Sequence, residues 1–285
     1  MSGATQAHAT QTKQTQQSGR LPSTFALSMS RIWMELTIYR RVPEQVVFGF
    51  AYPLIMLGIF GSVFPGFIAD TGVRFQQYYA ASLTATGMMT VGFQSVAIGI
   101  ALDRDNNVIK RLRGLPMPPM AYFAGKVGSV LLQGVLQTAL MIAVATAFFH
   151  LRVPSDAWHW FTLVWVFLLG LATCAALGIA VGGVLRNGRS ASAVVVTPLI
   201  VLQFISGVFF PVSQLPRFLL DIGAVFPLKW LCQGIRSAFL PDDFKYQEPA
   251  GSWEHPMTLI VLAAWLVGAL LLSLRTFGWR GSDGH

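Results

Sequence analysis

Six stretches of the chain contain no Asp, Glu, Lys or Arg: Gln45–Ala69, Phe75–Leu102, Val127–Leu151, Ala157–Leu185, Ser190–Pro216 and His255–Leu274. Each is about 20 residues or longer, the length a helix needs to cross a hydrocarbon core roughly 30 Å thick. Helices of a soluble bundle keep a polar face, and none of the six shows one. The pattern predicts an all-α integral membrane protein with six transmembrane helices.

Ahead of the first span, FALSMSRIWMELTIYRR (Phe25–Arg41) carries a different period. Phe25, Met29, Ile32, Leu36 and Tyr39 recur at helical spacing on one face, while Ser30, Arg31 and Glu35 fall away from it. With Trp33 beside that face and Arg40 and Arg41 closing the end, the segment predicts an amphipathic elbow helix lying in the interface. Its apolar side would sit in the acyl boundary and its cations would reach lipid headgroups. A soluble helix packed on the rest of the chain is the plainer alternative. The first twenty residues are rich in Gln, Thr and Ser and have little to bury. The domain organisation is then a disordered cytoplasmic tail at 1–22, an interfacial helix at 23–42, a six-span domain at 43–278 and a cytoplasmic tail at 279–285.

Two connections between spans are long. Asp103–Pro119 is one, and it contains the basic, proline-ended run KRLRGLPMPPM (Lys110–Met120). Pro211–Glu254 is the other. Its apolar runs Phe218–Leu220 and Ile222–Leu228 are too short to cross, and a mid-span charge such as Arg217, Asp221, Lys229 or Arg236 costs roughly 2.5–3.5 kcal/mol. A pair of short helices that enters the outer leaflet and returns fits better, packed on the spans so that its non-helical backbone is covered.

Composition agrees with the membrane reading: 54% of residues are hydrophobic and 11% charged, whereas soluble domains carry about 25% charged residues. Charge then sets the orientation. With the N-terminus cytoplasmic, only Arg74, Arg152, Arg217, Lys229, Arg236 and Lys245 of the twenty Lys and Arg fall outside. Seven of the twelve acids also fall outside. The positive-inside rule places both termini in the cytoplasm. Topology accounts for the excess basicity, so no nucleic-acid partner is needed. Trp158 and Trp160 mark an outer interface and Trp279 an inner one.

Several chemistries are missing from the sequence. The only Gly-Lys pair, Gly125–Lys126, lacks the upstream glycine and following hydroxyl of a phosphate loop. Cys174 and Cys232 form neither a disulfide framework nor a metal motif, and His150 and His159 have no metal-ligand spacing. The uncharged stretches offer no Asp, Glu, Lys or Arg for a coupling ion, which argues against a self-sufficient ion-driven carrier. Gln94, Gln133, Gln137 and Gln203 are left within them, either for interhelical hydrogen bonds or for contact with a transported molecule. Small residues such as Gly92, Gly178 and Gly182 let helices approach closely. With no energy source in the chain, the long inner loop is where a partner's work would enter.

Two motifs give the chain a family likeness: LDRDNNVIKRLRGLPMPPMAYFAGK (Leu102–Lys126) and SGVFFPVSQLPRFLLDIGAVFPLKWLCQGIRSAF (Ser206–Phe239). From about residue 25 onward the chain resembles the ABC-2 permeases, the membrane subunits of ATP-binding-cassette exporters, including those of the daunorubicin and multidrug-resistance type. Asn106–Asn107 stand where many members have Gly-Thr. The resemblance implies an elbow helix, a cytoplasmic coupling helix between spans 2 and 3, and an outer re-entrant helical pair before span 6. It implies ATPase coupling through Val108, Lys110, Arg111, Leu112, Arg113, Leu115 and Pro116, with Pro116, Pro118 and Pro119 stiffening the exit. A purely topogenic basic loop is the alternative for that segment. Gly207, Phe210, Pro211, Leu215, Pro216, Phe226, Pro227 and Arg236 would form an outer gate or a structural lid.

The function implied is export of hydrophobic or amphiphilic, drug-like or antibiotic-like molecules from a bacterial plasma membrane. The chain itself would not be an enzyme and would hold no cofactor or metal, with ATP and Mg bound by a separate ATPase subunit. A second permease subunit, identical or related, would complete the assembly within membrane lipid. Export of a lipid or lipid-linked glycan is the alternative within this architecture, and a membrane sensor or assembly protein without transport is the alternative outside it.

Overall fold

The computed structural model describes residues 24–276 except 42, 65, 69–70, 114–118, 150, 152, 155 and 186, with the backbone alone at 24–26, 38–40, 43–48, 112–113, 119–121, 189 and 276. Both tails expected from the sequence lie outside the described residues, as do Leu115 and Pro116 and the side chains of Phe25, Tyr39, Arg40, Leu112 and Arg113.

Helices follow in the order α1 (Thr24–Arg41), α2 (Pro43–Val63), α3 (Phe75–Asp105), α4 (Val108–Arg113), α5 (Pro119–Phe149), α6 (Ala157–Val184), α7 (Gly188–Ile205), α8 (Arg217–Val225), α9 (Pro227–Phe239) and α10 (His255–Thr276). No strand occurs among the described residues, only an isolated bridge between Phe67 and Arg74.

Four helices among the described residues are long and apolar enough to cross a membrane: α3, α5 from Tyr122, α6, and α10 to Arg275. The count is five if α8 and α9 are one broken span; they pass together but bend by 100°. Shorter apolar helical runs occupy Gly49–Val63 in α2 and Ser190–Ile205 in α7. The bend at Phe226–Pro227 has a local cause. Pro227 sits at the first turn of α9, where its missing N–H costs nothing, and extended Phe226 precedes it.

The core forms around α3. This helix is 67% buried over its most apolar window, against 17% for α10 at the rim. Every residue from Tyr78 to Met89 is buried, and α2, α5, α6 and α9 pack around it. At 31 residues α3 is about 46 Å long. That exceeds a hydrocarbon core of about 30 Å, so its last turns can stand beyond the lipid tails.

Midway, Thr90–Gln94 widens into a π-helical turn. Both the backbone N–H and the hydroxyl of Ser95 donate to the Thr90 carbonyl, which satisfies the displaced ladder. The turn lies against α6. A Cβ at Gly178 would stand 2.8 Å from the Gly92 carbonyl oxygen, so glycine is needed for the backbones to approach this far. The structure thus brings Gly92, Gly178 and the neighbouring Gly182 into one α3–α6 contact. The π turn itself has no signal in the sequence pattern.

Candidate functional site

At the basic end of the bundle, four charged side chains from three helices close on one another. Lys126 Nζ, near the start of α5, lies 2.9 Å from Glu35 Oε2 on α1 and 3.0 Å from Asp103 Oδ2 at the end of α3. Glu35 Oε1 also pairs with Arg31 Nη2 at 3.2 Å, one helical turn earlier. The Tyr122 hydroxyl donates to Asp103 Oδ2 at 2.9 Å, and the Arg31 guanidinium lies 5.3 Å from the Tyr122 ring centre. Arg31 and Lys126 are 6% and 8% exposed. Charges this buried are tolerable only when paired and hydrogen-bonded, and two cations facing two carboxylates leave the cluster neutral. Gly125 makes it possible, since a Cβ there would stand 2.4 Å from Arg31 Cγ.

One residue of the elbow segment departs from its expected facing. Arg31, expected to reach headgroups, points into the protein and pairs with Glu35, whereas Met29 of the expected apolar face is exposed together with Trp33 and Met34, at 52%, 69% and 49%. Ile32 and Leu36 are half-buried and Arg41 is exposed. The physical reason is the solvent. Where lipid covers a helix, apolar side chains lose nothing by facing outward, and charges gain by turning toward protein partners. The Arg31–Glu35 spacing of four was the sequence signal for this pair.

The other charges ending α3 engage different helices. Arg104 Nη1 and Nη2 donate to the carbonyls of Leu185 and Gly183 at 2.9 and 2.8 Å, capping the end of α6. Asp105 Oδ2 accepts from the Gly188 N–H at 2.7 Å, at the start of α7. The chain then turns through Asn106 and Asn107, with Asn107 in the left-handed region at φ 55°. Asn is one of the few side-chain-bearing residues that enters this region readily. In α4, Ile109 is buried, Val108 half-buried, and Lys110 and Arg111 are exposed.

At the opposite end, Arg236 on α9 is fully buried. Its Nε and Nη2 each lie 2.8 Å from Glu248 Oε1, and Glu248 too is fully buried at its side chain. Arg236 Nη1 reaches Ser82 Oγ and the Gly207 carbonyl, both at 3.4 Å, and its guanidinium stands 5.2 Å from the Tyr78 ring centre. The Tyr78 hydroxyl donates to the Gly207 carbonyl at 2.6 Å. Gly207 turns the chain at φ 71°, against Val212.

One cation therefore joins α3, α9, the turn after α7 and the loop before α10. Of the expected gate residues, Gly207, Pro211, Pro227 and Arg236 are buried. Leu215 and Phe226 are half-buried, and Phe210 and Pro216 are exposed. Phe226 stacks on Trp265 of α10, whose indole N–H donates to the Val225 carbonyl at 2.9 Å. The partner Glu248 escaped sequence reasoning because it lies in an aperiodic loop.

The four glutamines do not form one polar path, and among the described residues no hydrogen bond joins any two of them. Gln203 accepts from the Tyr52 hydroxyl at 2.8 Å. Gln133 is buried on α5, and Gln94 is half-buried in the π turn. Gln137 is 1% exposed and packed against Gly87, and neither atom of its amide has a hydrogen-bond partner. A separate groove of about 310 Å³ lies between α6 and α10 and is lined by apolar residues including Leu177, Trp265 and Leu272. None of the residues expected from the sequence lines it.

Residues 28–240 match the model of a family described as ABC-2 type transporter. The matched region contains the whole basic-end cluster and Arg236, and it ends before Glu248. The chain is 24% identical over 183 residues to the inner membrane transport permease YadH of Escherichia coli K12, covering 64% of this chain and 70% of the relative. It is also 24% identical over 275 residues to the daunorubicin resistance ABC transporter permease protein DrrB1 of Streptomyces coeruleorubidus, covering 90% of this chain and 87% of that one.

Proposed function

Because the chain belongs to the ABC-2 type transporter family, we propose that it is the permease subunit of an ATP-driven exporter of hydrophobic or amphiphilic, drug-like molecules. ATP would be hydrolysed by a separate ATPase subunit, and a second permease subunit would complete the pathway. The proposal takes six spans, adding α2 and α7 to the four long helices and leaving α8 and α9 on the outer side. At 21 and 18 residues, α2 and α7 are about 32 and 27 Å long, close to the thickness of the hydrocarbon core. Both termini and α4 then face the cytoplasm of a bacterial plasma membrane.

The observation that carries the coupling role is the exposure of Lys110 and Arg111 on α4, while Ile109 anchors the same helix. A short helix held on its apolar side and presenting cations outward suits docking to an acid-rimmed groove on an ATPase. Resistance to daunorubicin in the name of the relative DrrB1 supports the choice of cargo class.

The test is reconstitution in lipid vesicles with the ATPase that co-purifies with this chain. The proposal expects ATPase turnover to rise with amphiphilic drugs such as daunorubicin, and the drug to move in an ATP-dependent way. Stimulation only by lipid or lipid-linked glycan would transfer the assignment to that cargo, and failure to bind any ATPase would overturn it.

A further inference from the structure

The three consecutive charges Asp103, Arg104 and Asp105 end α3 immediately before α4, and each holds a different part of the molecule. Neighbouring positions on a helix project about 100° apart, so three in a row cannot serve one partner. Asp103 holds Tyr122 and Lys126 of α5, and through Lys126 it reaches Glu35 of α1. Arg104 holds the last carbonyls of α6, and Asp105 holds the first N–H of α7. The last two contacts also match the helix dipoles, with a cation at a C-terminus and an anion at an N-terminus.

The link to α4 is short and continuous. Asn106 N–H donates to the Leu102 carbonyl, Asn107 N–H to that of Arg104, and Arg111 N–H to that of Asn107.

We propose that Asp103, Arg104 and Asp105 are positioning residues that divide a displacement of α4 among three outputs: α1 with α5, α6, and α7. This rests on the reading of α4 as the segment that receives work from an ATPase. Each output has its own contact, so each can be cut alone. A purely structural role would instead make any one substitution loosen the whole basic end.

The experiment uses the full chain with its co-purified ATPase in lipid nanodiscs. An environment-sensitive fluorophore is attached singly after Ser30→Cys on α1, Val184→Cys at the end of α6 or Ser192→Cys on α7. All three positions are exposed, and both native cysteines are buried. ATP should change the signal at each position in the otherwise unsubstituted chain. Asp105→Asn should reduce the response at position 192 by about five-fold or more and leave the other two unchanged. Arg104→Gln should do so at position 184, and Lys126→Met at position 30. Lys126→Arg, which keeps a cation between Glu35 and Asp103, should preserve the response at position 30, and thermal unfolding of the Lys126→Met chain distinguishes a cut contact from a failure to fold. Equal loss at all three reporters from each substitution, or loss at none, overturns the proposal while leaving the transport reading intact. Silence of all three reporters in the unsubstituted complex overturns both.

Discussion

Arg236 and Glu248 form an ion pair with no side-chain exposure on either partner, twelve positions apart across α9 and the loop that follows it. Two charges removed from water this completely cost several kcal/mol each unless they neutralise one another. The pair therefore does more to fix the geometry than to add stability. It holds the bent α8–α9 unit, the turn at Gly207 and the loop before α10 to α3.

Removing one partner should be far worse than removing both. Glu248→Gln or Arg236→Met should destabilise the chain by about 3–5 kcal/mol, because a buried charge is left unpaired. Joining Arg236→Met with Glu248→Leu should recover most of that loss. Thermal unfolding in detergent measures all three chains. A double variant no more stable than the worse single one would remove the charge-pairing account.

At the basic end, Gly125→Ala should undock α1. The added methyl would fall 2.4 Å from Arg31 Cγ, and overpacking of this kind costs about 1–3 kcal/mol. Arg31 and Glu35 would lose their partners on α5, so trypsin should cleave after Arg31 faster than in the parent chain. Gly58→Ala, where nothing stands within 4 Å of the new methyl, serves as the control and should leave cleavage unchanged.

Much of the helical layout was legible from charge alone, and the reason is specific to lipid. A helix must exclude charges from the part that crosses hydrocarbon, so α3, α5, α6 and α10 each run through one of the uncharged stretches and carry any charges near the ends. The inward turn of Arg31 was not legible. The apolar period of α1 reads as a lipid-facing stripe with its cations toward headgroups, yet Arg31 pairs inside with Glu35, which Lys126 holds from α5, 91 positions away. The pairing of Arg236 with Glu248 was hidden similarly, since a loop carries no period that selects one acid over Asp242, Asp243 or Glu254. The π turn lies against α6, a tertiary contact that the TVGFQ segment alone does not reveal.

Asn107 should tolerate glycine and reject a β-branched residue. Its φ of 55° is open to Gly and Asn, while a branched side chain costs about 1–2 kcal/mol there. Asn107→Gly should leave ATPase stimulation near the parental level. Asn107→Val should lower it, because α4 would then leave α3 at a different angle. Equal stimulation by the two variants would show that the turn does not set the coupling.

Arg111→Asp reverses an exposed charge on α4 without touching a buried contact. Insertion and thermal stability should stay within about 0.5 kcal/mol of the parent, as is usual for surface changes. Binding of the ATPase subunit, followed by co-purification and by stimulated turnover, should be lost. Normal export by this variant would remove α4 from the coupling route.

Gln137 places an amide with no hydrogen-bond partner in the middle of α5, against Gly87 of α3. A buried polar group left without a partner costs about 1–3 kcal/mol, so Gln137→Leu should raise the unfolding temperature. If the amide were only a packing element, export would be unchanged or improved. The transport reading gives it a different use: its donors and acceptor are kept for a polar group of the cargo when α3 and α5 move apart. Gln137→Leu should then raise the drug concentration needed for half-maximal ATPase stimulation by roughly three- to ten-fold, equivalent to one hydrogen bond, with ATPase binding unaffected. Titration of daunorubicin against turnover measures this directly, and Gln203→Leu provides the comparison. Gln203 already accepts from Tyr52, so its loss should lower stability without moving the drug dependence. A rise in stability at Gln137 with no shift in that dependence would take it out of the substrate path.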